Sequence, residues 1–231
     1  MASKEFQKLQ REIIQCRRCP RLVEWRERIA RQKTRRFEQQ EYWGRPVPAF
    51  GQSSASLIIV GLAPAAHGGN RTGRMFTGNG SGEWLYDALF RFGFANQPYA
   101  RHRNDGLKLQ DCLITAALRC PPPGNKPLAE EENRCREYLR RELRLARRKR
   151  LIITLDHIAF NAFLKAWAEE SGINIREKPK FRHGAEYVLP GKLILLASFH
   201  PSRQNTQTKK LTHEMFDDIF RRAREILNHC G

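Results

Sequence analysis

Four short apolar runs constrain this chain most: SLIIV (56–60), DCLITAAL (111–118), RLIITL (150–155) and KLILLAS (192–198). Each is nearly continuous rather than alternating, as in strands covered on both faces of a parallel sheet. Helical patterns lie between and after them, over 83–93, 128–148, 156–170 and 212–229. Strands alternating with helices predict an α/β layer fold. The first forty residues read as helix. EFQKLQREIIQC sets Phe6, Leu9, Ile13 and Ile14 on one face, and RLVEWRERIARQKTRRFEQQ continues with a basic one. WGRPVPAFGQSSA reads as loop. The expectation is one domain over 1–231, with a helical segment over about 1–45.

The longest apolar run, Leu57 to Ala66, is broken by Gly61 and Pro64, so no membrane-spanning helix is expected. MASKEFQKLQREIIQC lacks the apolar stretch of a secretion signal, and a cytoplasmic protein is expected.

Charge narrows the partner. Lys and Arg number 42 against 24 Asp and Glu, a formal net charge of +18. An excess of this size points to a nucleic acid, whose phosphates match Arg forks. The densest basic run, RRELRLARRKR (140–150), reads first as the solvated face of a helix whose Leu139, Leu143 and Ala146 turn inward.

Six cysteines in a cytoplasmic chain do not imply a disulfide framework. Cys16 and Cys19 form C-R-R-C, a spacing that lets two thiolates reach one metal centre. Cys120 opens CPPPGN, and Cys135 follows in the next helical segment. These four are ligand candidates for zinc or an iron–sulfur cluster. A zinc ribbon would need a second tight CxxC, so the wide spread leans toward a cluster. Either centre would staple the N-terminal helices to the loop after the second strand. Cys112, inside a strand, reads as a small buried hydrophobe, and Cys230 as an inert tail thiol.

Ligand sites of open α/β sheets gather beyond the carboxyl ends of the strands. Three loops rich in glycine or proline begin there: GLAPAAHGGNRTGRMFTGNGSG (61–82), RCPPPGN (119–125) and the segment from Phe199 that contains HPSRQNTQT. Together with the split cysteines they resemble the uracil-DNA glycosylase superfamily, and within it the iron–sulfur family 5, or type b, enzymes. The resemblance runs from Cys16 to the last helix. It implies a central four-stranded parallel sheet with helices on both sides. It also implies a 4Fe–4S cluster on Cys16, Cys19, Cys120 and Cys135, and release of uracil, often also hypoxanthine or other deaminated bases, from DNA. A monomer is the family default.

A base must leave the stack before its glycosidic bond can be reached. The loop residues Gly61, Leu62, Ala63, Pro64 and Ala65 are small enough for a flat base to approach the backbone, with Phe76 as its stacking partner. His200 of the HPS triplet is the candidate donor to the oxygen of the leaving base. The superfamily places Asp or Asn where this chain has Ala63; the type b enzymes share that absence and use an Asp in FTGD to position water. Here FTGN carries Asn79, an amide that orients water but cannot act as a general base. Asn125 matches an Asn of the same family pocket. Pro201, Ser202 and Arg203 are expected to enter the minor groove, and Asn70, Arg71 and Arg74 to meet phosphates. Ala63 and Asn79 together keep a second reading open, a relative that binds lesions without turnover. A third is a metal-centred nucleic-acid-binding protein.

Overall fold

The structure, a computed structural model, describes residues 3–173 and 177–228. Two helices open it, α1 (Lys4–Ile14) and α2 (Pro20–Gln32). Then come β1 (Phe50–Gly51), β2 (Leu57–Gly61), the single turn α3 (Gly69–Thr72), α4 (Gly80–Arg91) and β3 (Cys112–Ala116). The second half adds α5 (Ala129–Leu145), β4 (Leu151–Leu155), α6 (His157–Ser171), β5 (Glu186–Leu189), β6 (Leu193–Ser198), α7 (Arg203–Gln207) and α8 (His213–Asn228). Cys230 lies outside the described residues.

The sheet runs β1-β3-β2-β4-β6-β5. Its four inner strands are parallel and coincide with the four apolar runs. The expected four-stranded sheet is therefore the centre of a six-stranded mixed one. The edges β1 and β5 pair antiparallel. Neither carries a buried run: β1 has two residues inside a Pro- and Gly-rich loop, and Val188 of β5 is 71% exposed.

Both faces of the sheet are buried, which explains the continuous apolar runs. Leu57 and Ile59 of β2 face a core built with Leu85 and Leu89 of α4 and Phe216 and Phe220 of α8. Ile58 and Val60, one pleat over, face Leu139 and Leu143 of α5 and Phe160 and Phe163 of α6. The result is three layers, helix–sheet–helix.

Part of the basic run in α5 is engaged by ion pairs within the chain, at the surface. Arg140 and Arg144 pair with Glu170 of α6, and Arg141 pairs with Glu12 of α1. Leu139, Leu143 and Ala146 are buried, as the helical spacing predicts. Deeper in, Arg119 bonds Glu142 at 2.6 Å and Thr115 at 2.6 Å, fastening the end of β3 to α5. Both members of the pair are 1% exposed. Removing one alone would strand a buried charge at a cost of about 3–5 kcal/mol.

The order of the inner strands places the topological switch between β2 and β4. From β2 the chain crosses to β3 on one side, then returns past β2 to β4 on the other. The crevice above those carboxyl ends is where such folds hold ligands.

Candidate active site

A cleft of about 430 Å³ opens there. Leu62, Ala63, Ala65, Phe76, Asn79 and Ser81 line it from the loop after β2, and Asn125 from the loop after β3. Asp156, His157 and Ile158 line it from the end of β4 and the start of α6. His200, Ser202, Arg203, Gln204 and Asn205 come from beyond β6. Loops far apart in sequence thus converge because their strands are parallel and neighbouring.

The floor is set by Phe76. Its φ is 55°, a left-handed backbone uncommon for an aromatic residue. Its ring lies over Gly61, where a Cβ would come within 2.9 Å of the ring, and its carbonyl presses on Gly82. These two glycines first make room for the loop's own aromatic residue, and the ring then offers the flat surface. His200 stacks on Phe76 with ring centroids 5.9 Å apart. The Asn205 side-chain nitrogen donates to the His200 carbonyl at 2.8 Å, holding the turn. His200 reaches the cleft but is otherwise enclosed, and burial pulls its pKa down to about 4. It is therefore a neutral imidazole at neutral pH, able to donate one N–H.

Asn79 is the N-cap of α4. Its Oδ1 accepts from the Gly82 N–H at 2.9 Å. That bond fixes which end of the amide is which, and leaves the nitrogen as the group with donors to offer. Ser202 caps α7 in the same way, accepting from Asn205 N–H at 3.3 Å. Asn125 is exposed at φ 57°, at the turn after Gly124.

Asp156 was not anticipated. It caps α6, accepting from the Ala159 N–H at 2.7 Å, which is the ordinary explanation for an Asp at a strand–helix junction. Its backbone is not ordinary. At φ 101° and ψ 170° it sits in a region essentially reserved for glycine, at a cost of about 1–3 kcal/mol. Burial pushes its carboxyl up to about 6, with hydrogen bonds from Ala159 and Ile158 pulling the other way.

Six expected contacts do not line the cleft. Gly61 is buried at the end of β2, Pro64 is packed against Gly69, and Pro201 is buried. Arg71 is buried too, its guanidinium donating to the His67 carbonyl, Gln40 Oε1 and the Gly78 carbonyl. Arg74 is likewise consumed by a bidentate pair with Asp105, and Asn70 donates to the Arg26 carbonyl. The three side chains expected on phosphates instead brace the loop. A sequence shows that a loop is basic, but not which of its cations have internal partners.

The four cysteines gather elsewhere, at one end of the sheet. Cys120 and Cys135 belong to an apolar cluster with Leu9, Ile13, Leu22 and Tyr138, and Cys16 and Cys19 pack against it. Arg26, 2% exposed, donates from Nη1 to Cys120 Sγ at 3.0 Å. Burial pushes the Cys120 thiol up to about 11 and the Cys135 thiol to about 12. At Cys16 burial also pushes upward, but hydrogen bonds from Arg18 and Tyr138 prevail and the pKa falls. Cys112 is fully buried in β3, apart from this group. Among the described residues, no three or more His, Cys, Asp and Glu side chains are disposed to hold a single metal ion. The donor set is nonetheless all sulfur, and a buried guanidinium against a sulfur is favourable when that sulfur is a thiolate.

Residues 48–224 match the family described as the uracil DNA glycosylase superfamily. The chain belongs to the uracil DNA glycosylase superfamily. Among its relatives is the type-5 uracil-DNA glycosylase of Mycobacterium leprae, 47% identical over 94% of each chain. That of Thermus thermophilus is 46% identical, over 93% of this chain and 94% of the relative. The type-4 uracil-DNA glycosylase of Archaeoglobus fulgidus is more distant, 28% identical over 96% of this chain and 91% of its own. The superfamily match spans β2 to β6 and every loop of the cleft. At 93–96% of this chain, the similarity to these relatives extends N-terminal of that match into α2. Among the described residues no helix is long and apolar enough to cross a membrane.

Proposed function

We propose that this protein is a cytoplasmic DNA repair glycosylase that hydrolyses the N-glycosidic bond of uracil in DNA and leaves an abasic site. Hypoxanthine and other deaminated bases fall within the same chemistry, and the protein acts as a single-domain monomer. One observation carries the reading. Phe76, Asn79, Asn125 and His200 arrive from three separate strand ends and line one cleft, in a superfamily member whose relatives are named uracil-DNA glycosylases.

The flipped base stacks on Phe76, a contact of about 1–3 kcal/mol. Bond cleavage leaves an anionic base and a cationic sugar. Neutral His200 donates to the base oxygen, where charge develops, and needs no prior protonation to do so. The Asn79 nitrogen supplies a second donor at the base edge, and Asn125 holds base or water. Leu62, Ala63 and Ala65 keep that wall of the cleft shallow and largely apolar. Ser202 and exposed Arg203 meet the strand beside the flipped nucleotide, and Pro201 stiffens their loop.

A 4Fe–4S cluster on Cys16, Cys19, Cys120 and Cys135 is supported by the all-sulfur set and its hydrogen-bonded, Arg-flanked surroundings. Bound there, it is a structural staple of α1, α2 and α5 and takes no part in base release.

A labelled duplex with one uracil opposite guanine tests the activity, read as strand cleavage after alkali. Base release supports the reading. Binding without release by metal-loaded protein, on uracil and then on hypoxanthine, would overturn it in favour of a lesion-binding protein, the reading that Ala63 and Asn79 together keep open.

A further inference from the structure

The attacking water needs a hydrogen-bond acceptor, and the cationic sugar is best met by a negative charge. Asn79 carries no charge, and the Gly82 N–H already takes one lone pair of its oxygen; the amide can orient water but cannot take its proton. Ala63 has no polar side chain. Among the described residues that line the cleft, Asp156 is the only one with a carboxyl group.

Three features set Asp156 apart from an ordinary helix cap. It directly follows Leu155, the last residue of β4, on one flank of the topological switch. Its backbone occupies the glycine region, held there by its N–H on the Ser198 carbonyl at 3.0 Å and its carbonyl under the Phe160 N–H at 3.1 Å. Glycine would adopt that conformation without strain, so the side chain is kept at a cost. Lastly, no ion pair reaches it among the described residues, although Arg is the commonest charged partner throughout this protein. A strained, unpaired carboxylate in a ligand cleft is a functional candidate.

We propose that Asp156 is the catalytic carboxylate of this site, taking the role that Asn79 cannot fill. The inference rests on the glycosylase reading above. The C1′–N bond breaks and its electron pair leaves with the base. The water oxygen forms the new bond to C1′. One water proton passes to the Asp156 carboxylate and on to solvent, while the departing base takes a proton from solvent. Sugar, base and water balance, and no oxidant or further reactant is required.

Single-turnover release of uracil from the duplex above tests this, with duplex affinity and melting temperature measured alongside. Asp156→Asn retains a capping oxygen but loses the charge; about a 100-fold slower release at unchanged affinity is expected. Asp156→Gly relieves the backbone, so it should melt higher than the parent while releasing base as slowly as Asp156→Asn. Adding Asn79→Asp to Asp156→Asn returns a carboxylate to the cleft and should recover most of the lost rate, which a purely structural residue would not permit. Parent activity that Asp156→Asn leaves within twofold overturns the assignment alone. So does a loss that Asn79→Asp leaves unrecovered. A parent that releases no base overturns the glycosylase reading, and this assignment with it.

Discussion

The guanidinium of Arg26 donates to the sulfur of Cys120 at 3.0 Å while its backbone carbonyl accepts from the Asn70 side chain at 3.2 Å. One buried residue of α2 therefore touches both the cysteine group and the loop that forms one wall of the cleft. Hydrogen bonds to a charged group contribute about 1.5–3 kcal/mol. Arg26→Gln should lower the melting temperature and, with the proposed cluster bound, speed the loss of its visible absorbance under a chelator. Arg31→Gln, at the exposed end of the same helix, should do neither.

Asn79→Asp keeps the α4 cap, since Asn and Asp are near-equal N-caps. Stability should change by less than about 0.5 kcal/mol, and base release should be kept or raised. A collapse of release in a variant with unchanged melting would show that the Asn79 nitrogen is a required donor.

His200→Ala removes the proposed donor, whose ring stacks on Phe76. Losing one such donor costs about 10²–10³ in rate. Excision should fall by that order while duplex affinity falls far less; equal losses would take His200 out of the chemical step.

Gly61→Ala pushes a methyl group to within 2.9 Å of the Phe76 ring. Overpacking of this kind costs about 1–3 kcal/mol. Because the displaced ring is the floor of the cleft, substrate binding should weaken along with stability. Comparing KM and kcat for this variant checks the assignment.

The Asp156 carboxyl, raised to about 6 by burial, ties activity and stability to pH in opposite directions. Base release that uses the carboxylate should rise as pH increases through about 6. The other titratable or charged groups lining the cleft are His157, His200 and Arg203, and His200 stays neutral across that range. Folding should weaken over roughly the same range. Between about pH 4 and pH 6 the unfolded chain loses this proton while the folded protein keeps it, so the cost develops with rising pH. Asp156→Asn should therefore melt higher than the parent at neutral pH, and that gain should vanish below about pH 4.

Four inner strands and the helices between them were legible because burial on both faces leaves a continuous apolar run, a local property of five or six residues. Edge strands escaped because pairing on one side asks little of composition: Phe50–Gly51 and the half-exposed Glu186–Leu189 have no such run. The candidate residues Asn79, Asn125 and His200 were accessible as motifs at strand ends, and the structure places all three on one cleft.

What the sequence determined by itself was the layer architecture, the excess of positive charge, the family and the set of cysteines. Tertiary structure decided how each polar group is spent. Arg71 and Arg74 read as free cations in a basic loop, yet folding buries both and satisfies them internally. Asp156 reads as a helix cap and is one, but only its placement reveals a glycine-type backbone beside the cleft. The physical reason is common to both cases. Apolar burial follows from local periodicity, whereas the state of a charge depends on partners that the chain brings together from far apart.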